Sequence, residues 1–244
     1  IGLDNYAALF RDKGFYTSLI NTVYFTVGTV PVMVFLSIIF AVLLNMKIKG
    51  AAIFRGIYFL PTITSMVAIA VIWRWIYNAD SGILNMMLYQ LGLPTPGWLT
   101  STKYAMPAII IMSIWKSIGS NIVIMLAGLQ SIPGTLYEAA EIDGANAFHK
   151  FWRITLPLLS PTTFFVTVIS IIGSFQVFEQ AMVMTSGGPG NATLVMVYNI
   201  YRQAFENFNL GYASALAYVL FISILIVTII QWVAQKYWVH AEVD

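Results

Sequence analysis

The sequence predicts an all-α, polytopic membrane protein, and three observations carry that prediction. Only 9% of its 244 residues are charged, 59% are hydrophobic with a mean hydropathy of +0.80, and the apolar residues gather into five long stretches. A soluble domain carries about 25% charged residues, so this chain has far too little solvation for a water-facing surface. The same balance excludes intrinsic disorder. With 12 Lys and Arg against 10 Asp and Glu, a polyanion-binding role is excluded too, and no nucleic-acid partner is expected. Zero cysteines rule out disulfides, iron–sulfur clusters and Cys-type zinc sites, and leave the redox compartment open.

A helix crosses the hydrocarbon core with about 20 mainly apolar residues. Residues 18–45, 57–77, 104–130, 161–184 and 211–233 meet that requirement. Helices are required because each backbone polar group in lipid is satisfied within its own segment. The segments of about ten alternating residues that a barrel needs are not present. Orientation follows the short loop after the first span, where Lys47, Lys49 and Arg55 occur with no acid among them. That loop is placed in the cytoplasm, which puts 78–103 and 185–210 outside and 131–160 and the Lys236 tail inside. Trp73, Trp75 and Tyr77 at an outer end, and Trp232, Tyr237 and Trp238 at an inner end, fit interfacial belts. Parity leaves the segment beginning at Ile1 outside. The expectation is therefore a single transmembrane domain, 1–244, with five visible spans and at least one further transmembrane helix ahead of them.

The inner loop 131–160 reads SIPGTLYEAAEIDGANAFHKFWRITLPLLS. Pro133–Gly134 makes a turn, and Thr135 with Glu138 forms a T-x-x-E capping box that starts a short helix. Gly144 after Asp143 supplies a left-handed position that ends it. Asn146 caps a second helix in which Phe148, Phe151 and Trp152 share a face, and Pro157 closes that helix before the next span. Ala139, Ala140 and Ala145 keep the surface near the bend thin enough to enter a groove on another protein. An ordinary amphipathic loop has the same spacing, so the pattern alone leaves both readings open.

The ordered series Glu138-Ala139-Ala140, Asp143-Gly144-Ala145, Phe151 and Leu156-Pro157-Leu158-Leu159, with Pro161 after it, resembles the EAA loop of permease subunits in binding-protein-dependent ABC importers of the type I fold. FRGIYFLPTITS (54–65), GLPTPGWL (92–99), TSGGPGNAT (185–193) and YRQAFENFNLGYASALAYVLF (201–221) resemble the carbohydrate-importing branch. Such permeases typically have six or more spans. The resemblance implies that the loop docks on an ATP-hydrolysing subunit through Glu138, Ala139, Ala140, Asp143, Gly144 and Ala145. It also implies a second, homologous permease, two ATP-binding subunits carrying ATP and Mg, and an extracytoplasmic solute-binding protein. The setting would be a bacterial-type cytoplasmic membrane. Independently, this chain has no G-x-x-x-x-G-K-[ST]; its run Gly187-Gly188-Pro189-Gly190 lacks the lysine and reads as an exterior turn. No cofactor, metal or catalytic residue is expected on this chain, and His149 and His240 have no ligand neighbour at useful spacing.

Polar residues inside spans are expensive unless they face a cavity or each other. In the third span Ser113, Ser117, Ser120 and Asn121 lie to one side with Lys116 beside them. In the fourth, Thr163, Thr167, Ser170 and Ser174 repeat the pattern. Small hydroxyl residues also bind transmembrane helices together, so the fourth-span stripe has two readings. Lys116, at mid-span, calls for a partner or water. Ser113, Lys116, Ser117, Ser120, Ser174 and Gln176 are the pathway candidates, because hydroxyls and amides suit a neutral sugar or polyol. A central cation would suit glycerol phosphate or another acidic polyol. Glu179 lies near an outer end, where it reaches water. Outside, 83–91 and 194–205 read as interfacial helices, and Asn191-Ala192-Thr193 as a coincidental sequon. The reading is alternating-access import driven by a separate ATPase. The rival is an ion-gradient-driven transporter or channel, which would need mid-span acids or histidines.

Overall fold

The computed structural model describes residues 2–46 and 51–239, with side chains in the second stretch from Gly56 onward. Lys47, Lys49, His240 and the side chain of Arg55 therefore lie outside the described residues, and the charge argument for the first inner loop stands on sequence.

A short amphipathic helix α1 (Asp4–Leu9) buries Leu9 and leads into α2 (Lys13–Asn45). Asp12 caps α2, accepting from the Gly14 amide at 2.8 Å and from the Tyr212 hydroxyl at 2.6 Å. Pro31 lies inside α2 without ending it. Next come α3 (Ala51–Ile63), α4 (Met66–Ile76), the outer helix α5 (Ile83–Gln90) and α6 (Ala105–Gln130). The inner loop holds α7 (Gly134–Ile142), α8 (Ala147–Lys150), a π-helical turn (Phe151–Thr155) and α9 (Leu156–Leu158). Then follow α10 (Ser160–Phe175), α11 (Glu179–Thr185), α12 (Met196–Tyr201), a second π-helical turn (Arg202–Glu206) and α13 (Leu210–Ala234). Among the described residues there is no strand.

The all-helical membrane fold is as expected, but among the described residues only α2, α6 and the last helix are unbroken, apolar and long enough to cross a bilayer. Five spans result when each of two bent pairs counts as one, and both pairs correct the sequence reading. The expected span 57–77 is broken at Thr64–Ser65, where α3 and α4 meet at 108°. The cause is local. The Thr64 hydroxyl bonds the Leu60 carbonyl at 3.0 Å, Thr64 N–H bonds back to Pro61 at 3.3 Å, and Ser65 is extended. The expected span 161–184 stops at Phe175. Gln176 and Val177 make tight bonds back to Gly173 and Ser174, and the chain turns before α11. The capping box at Thr135 does not form either: α7 starts at Gly134 behind Pro133, with no side-chain cap. Pro157 does not close the second inner helix, because it sits near the start of α9, where its missing N–H costs nothing. The 60° bend comes later, between Leu158 and Ser160.

Helix α6 is the central post: 56% of its apolar window is buried, against 28% for α2 and 22% for the last helix. The last two instead turn Val27, Phe35, Ile229 and Trp232 outward, as lipid requires. Toward the inner end, Ala41 of α2, Ile122, Met125 and Leu129 of α6, and Leu159 and Val166 pack as one cluster. Close approach is set by glycine: a Cβ on Gly119 would lie 2.3 Å from the Tyr58 carbonyl of α3, and one on Gly128 would lie 2.4 Å from the Thr162 hydroxyl of α10.

Candidate functional site

Helices α6 and α10 flank the inner loop, so the polar groups they carry and the loop's tip belong to one continuous unit. Where α2, α6 and α10 meet there is a cavity of about 240 Å³ lined by Phe25, Thr29, Met33, Ser120, Asn121, Ile169, Ser170, Gly173 and Ser174. Asn121 Nδ2 donates to Ser170 Oγ at 3.1 Å, and Ser174 Oγ donates to Thr26 Oγ1 at 2.9 Å. These bonds hold the wall in place and leave the amide oxygen of Asn121 available. Thr29 is 4% exposed, and its hydroxyl, shielded from solvent, has no hydrogen-bond partner among the described residues. A buried hydroxyl left without a partner costs about 1–3 kcal/mol. The lining carries no charged side chain.

Of the six pathway candidates, this cavity brings together Ser120 and Ser174. Ser113 is buried and accepts from Gln180 Nε2 of α11 at 3.4 Å. Ser117 offers its carbonyl to the Ser120 hydroxyl at 2.9 Å, and Gln176 is exposed at the end of α10. Lys116 points elsewhere: its Nζ donates to the Thr62 carbonyl at 3.0 Å, while Thr62 Oγ1 donates to the Lys116 carbonyl at 3.3 Å. The partner that a mid-span lysine requires is thus the open C-terminal end of α3, where the break frees carbonyls and the helix dipole is negative.

Sequence reading missed the contribution of α2. Ser18, Thr22, Thr26 and Thr29 form a buried column at i, i+4, i+8 and i+11, found by the same rule that exposed the stripes in α6 and α10. Thr22 accepts from the Met196 amide at 2.9 Å, and Ser18 accepts from Asn199 at 3.2 Å, tying α2 to α12. One turn away on α2, Asn21 Nδ2 reaches the carbonyls of Asn191 and Leu194 at 2.8 and 3.0 Å. The Gly-rich run therefore leads into a turn fastened to α2, with Thr193 fully buried just after it. A second outer turn is organised by Asn85, which donates to Ala79 and Pro96 and accepts from Trp98 Nε1 at 2.8 Å.

At the inner end, Gly144 has φ +77° and completes the end of α7: its N–H bonds Glu141, and the Ala145 N–H reaches back to Ala140 at 2.8 Å. Asn146 caps α8 through the His149 amide at 2.9 Å, as expected. Ala140, Asp143, Gly144 and Ala145 share a recess of about 490 Å³ with His149, Lys150, Arg153 and Ile154, while Glu138 and Ala139 are exposed along α7. Glu141 and Lys150 pair across the recess at 2.6 Å, and that hydrogen bond and charge hold the Glu141 carboxyl below its ordinary range. Phe148 and Trp152, ring centroids 6.1 Å apart, stand exposed on the neighbouring face.

A family model described as "Binding-protein-dependent transport system inner membrane component" matches residues 6–239. Among relatives, the arabinooligosaccharides transport system permease protein AraP of Bacillus subtilis (strain 168) is 39% identical over 94% of this chain and 74% of its own length. The lactose transport system permease protein LacF of Rhizobium radiobacter is 34% identical over 96% of this chain and 80% of its own. Among solved structures, a chain of a bacterial alginate ABC transporter, in complex with an alginate pentasaccharide-bound periplasmic protein, superimposes with a TM-score of 0.87. It is 26% identical, covering 95% of this chain and 81% of that one.

Proposed function

The chain belongs to the family of inner membrane components of binding-protein-dependent transport systems, and from that premise we propose that it forms half of the membrane path of an ATP-driven importer for a sugar or oligosaccharide. One observation carries the reading. The hydroxyl- and amide-lined cavity is built from α2 with α6 and α10, the latter two joined by the loop that bends at Gly144, so a push on that loop reaches two of the cavity walls. Glu138, Ala139, Ala140, Asp143, Gly144 and Ala145 are the contacts with the ATPase. The relatives named for arabinooligosaccharides and lactose support a carbohydrate cargo. The absence of charge from the cavity lining, with Lys116 engaged on Thr62, favours a neutral sugar over glycerol phosphate or another acidic polyol. Family membership supports ATP-driven import over the ion-gradient-driven alternative.

In the working complex a second, homologous permease closes the path from the other side. An extracytoplasmic binding protein delivers cargo to the outer turns, and two ATP-binding subunits with ATP and Mg supply the energy. Import proceeds by alternating access in a cytoplasmic membrane. The test is to purify the chain with its complex and assay uptake of labelled oligosaccharides, disaccharides and glycerol phosphate in proteoliposomes. Copurification of an ATPase, and ATP-dependent uptake of a neutral sugar, are expected. ATP-independent uptake that follows an ion gradient, or preference for the phosphate ester, would overturn the reading or its cargo.

A second test addresses the cavity. Thr29→Val keeps the side-chain shape and removes a hydroxyl that no group among the described residues pairs with. A lost hydrogen bond to cargo is worth about 0.5–1.5 kcal/mol, so KM for uptake should rise roughly 2- to 10-fold with the amount of complex unchanged. An unaltered KM would place Thr29 off the path.

A further inference from the structure

Two cross-links span the cytoplasmic loop. At its tip, Lys150 Nζ meets Glu141 Oε1 at 2.6 Å. At its root, the Tyr137 and Thr155 hydroxyls lie 2.9 Å apart. The Thr155 hydroxyl is also within 3.4 Å of the Lys150 carbonyl, so it can donate there while accepting from Tyr137. On α7, Tyr137 and Glu141 are four residues apart, hence one above the other on one face. Their partners, Lys150 and Thr155, are five apart. In an α-helix that spacing turns the second residue about 140° away from the first. Bonding of the i→i+5 kind over Phe151–Thr155 brings residues five apart back to one face. The π-helical turn is thus what lets both cross-links form together.

From this geometry we infer that the Tyr137–Thr155 bond, set in register by the π-helical turn, locks α7 to the helix leading into α10, so that the inner loop moves as one rigid lever. The root bond carries the load. Thr155 is buried, whereas Glu141 at the tip is exposed, and an exposed ion pair contributes little. Tyr137 and Thr155 share a small recess with Val42, Asn45 and Met46 at the end of α2 and Leu129 at the end of α6. A displacement of α7 is therefore delivered where two membrane helices, α2 and α6, converge. Tyr137 and Thr155 are positioning residues: they touch neither cargo nor, on this reading, the ATPase. The flexible point is displaced from Gly144 to the 60° bend between Leu158 and Ser160.

The inference rests on the coupling role proposed above, and its test separates the two. In the assembled transporter, reconstituted with its binding protein, Tyr137→Phe and Thr155→Val are compared alone and together for ATPase copurification, ATP hydrolysis, and cargo imported per ATP. Expected is wild-type copurification and hydrolysis with import per ATP falling roughly 5- to 10-fold in each single variant, and no further fall in the double variant, because one bond cannot be lost twice. Wild-type import per ATP in both single variants, or additive losses, would overturn the lever. A merely destabilised loop would lower the yield of complex and leave the ratio unchanged, which also counts against it. No ATPase copurifying with the wild-type chain would instead strike the coupling reading itself.

Discussion

Sugar uptake should fall by at least about 100-fold in a Gly144→Asp variant that still inserts and assembles, a coupling loss of nearly 3 kcal/mol. The argument separates what the chain feels from what its partner feels. At φ +77° a residue with a Cβ carries strain of roughly 1–2 kcal/mol, and a Cβ built at Gly144 meets nothing within 4 Å. Within the chain the variant is therefore inexpensive, since Asp is among the residues that visit the left-handed region. The surface is what changes. The new carboxylate stands beside Asp143 in the recess that also holds Ala140 and Ala145. On the coupling reading that surface enters a cleft on the ATPase, where an added carboxylate meets both bulk and charge penalties. Gly144→Ala isolates the strain and should cost little transport. Gly144→Asn accepts the same backbone with no charge, so comparison with Asp divides bulk from charge. Near-normal uptake by the Asp variant would remove Gly144 from the docking surface.

How legible this molecule was in its sequence depended on whether a feature is local. The spans through α2, α6 and α13 were placed within a few residues because an unbroken apolar run is itself the physical requirement. Gly144 and Asn146 were equally legible, since a left-handed terminus and an N-cap each depend on one residue and its neighbours. The break at Thr64–Ser65 was not. Its local cause, a threonine bonding back to Leu60, is tolerated in many intact helices. What sustains the break is Lys116, 54 residues away, which occupies the freed carbonyl end. The same long reach explains the pathway candidates. Ser120 and Ser174 face one cavity, but Lys116 was assigned to a path because a mid-span charge demands a partner, and composition cannot say that the partner is backbone. The α2 column at Ser18, Thr22, Thr26 and Thr29 was readable by periodicity and passed over, because hydroxyls scattered among so many apolar residues look like ordinary helix glue.

Gly119→Ala should cost the fold more than Gly128→Ala, although both glycines sit on α6 where another helix crosses. At Gly128 the obstacle is the Thr162 side chain, whose hydroxyl, Cβ and Cγ2 all lie within 2.8 Å of the new Cβ, so no rotamer clears it and a methyl group costs about 1–3 kcal/mol of overpacking. At Gly119 the obstacle is backbone: the Tyr58 carbonyl oxygen 2.3 Å from the new Cβ, with the Thr62 hydroxyl at 2.6 Å behind it. Backbone of an α-helix cannot turn aside, so α3 as a whole must move off α6. That movement stretches both bonds between Thr62 and Lys116. It leaves an ammonium group without its acceptor at a depth where a charge costs roughly 2.5–3.5 kcal/mol. Overpacking and the stranded charge together place the loss near 3–6 kcal/mol, a large share of any domain's stability. Thermal unfolding of the detergent-solubilised variants measures it, and Gly119→Ala should unfold well below both Gly128→Ala and the wild type. Combining Gly119→Ala with Lys116→Met removes the charge that would be stranded, so the double variant should recover part of the loss. Equal stability of the two glycine variants would show that α3 is free to slide on α6, and that the lysine does not hold the broken span in place.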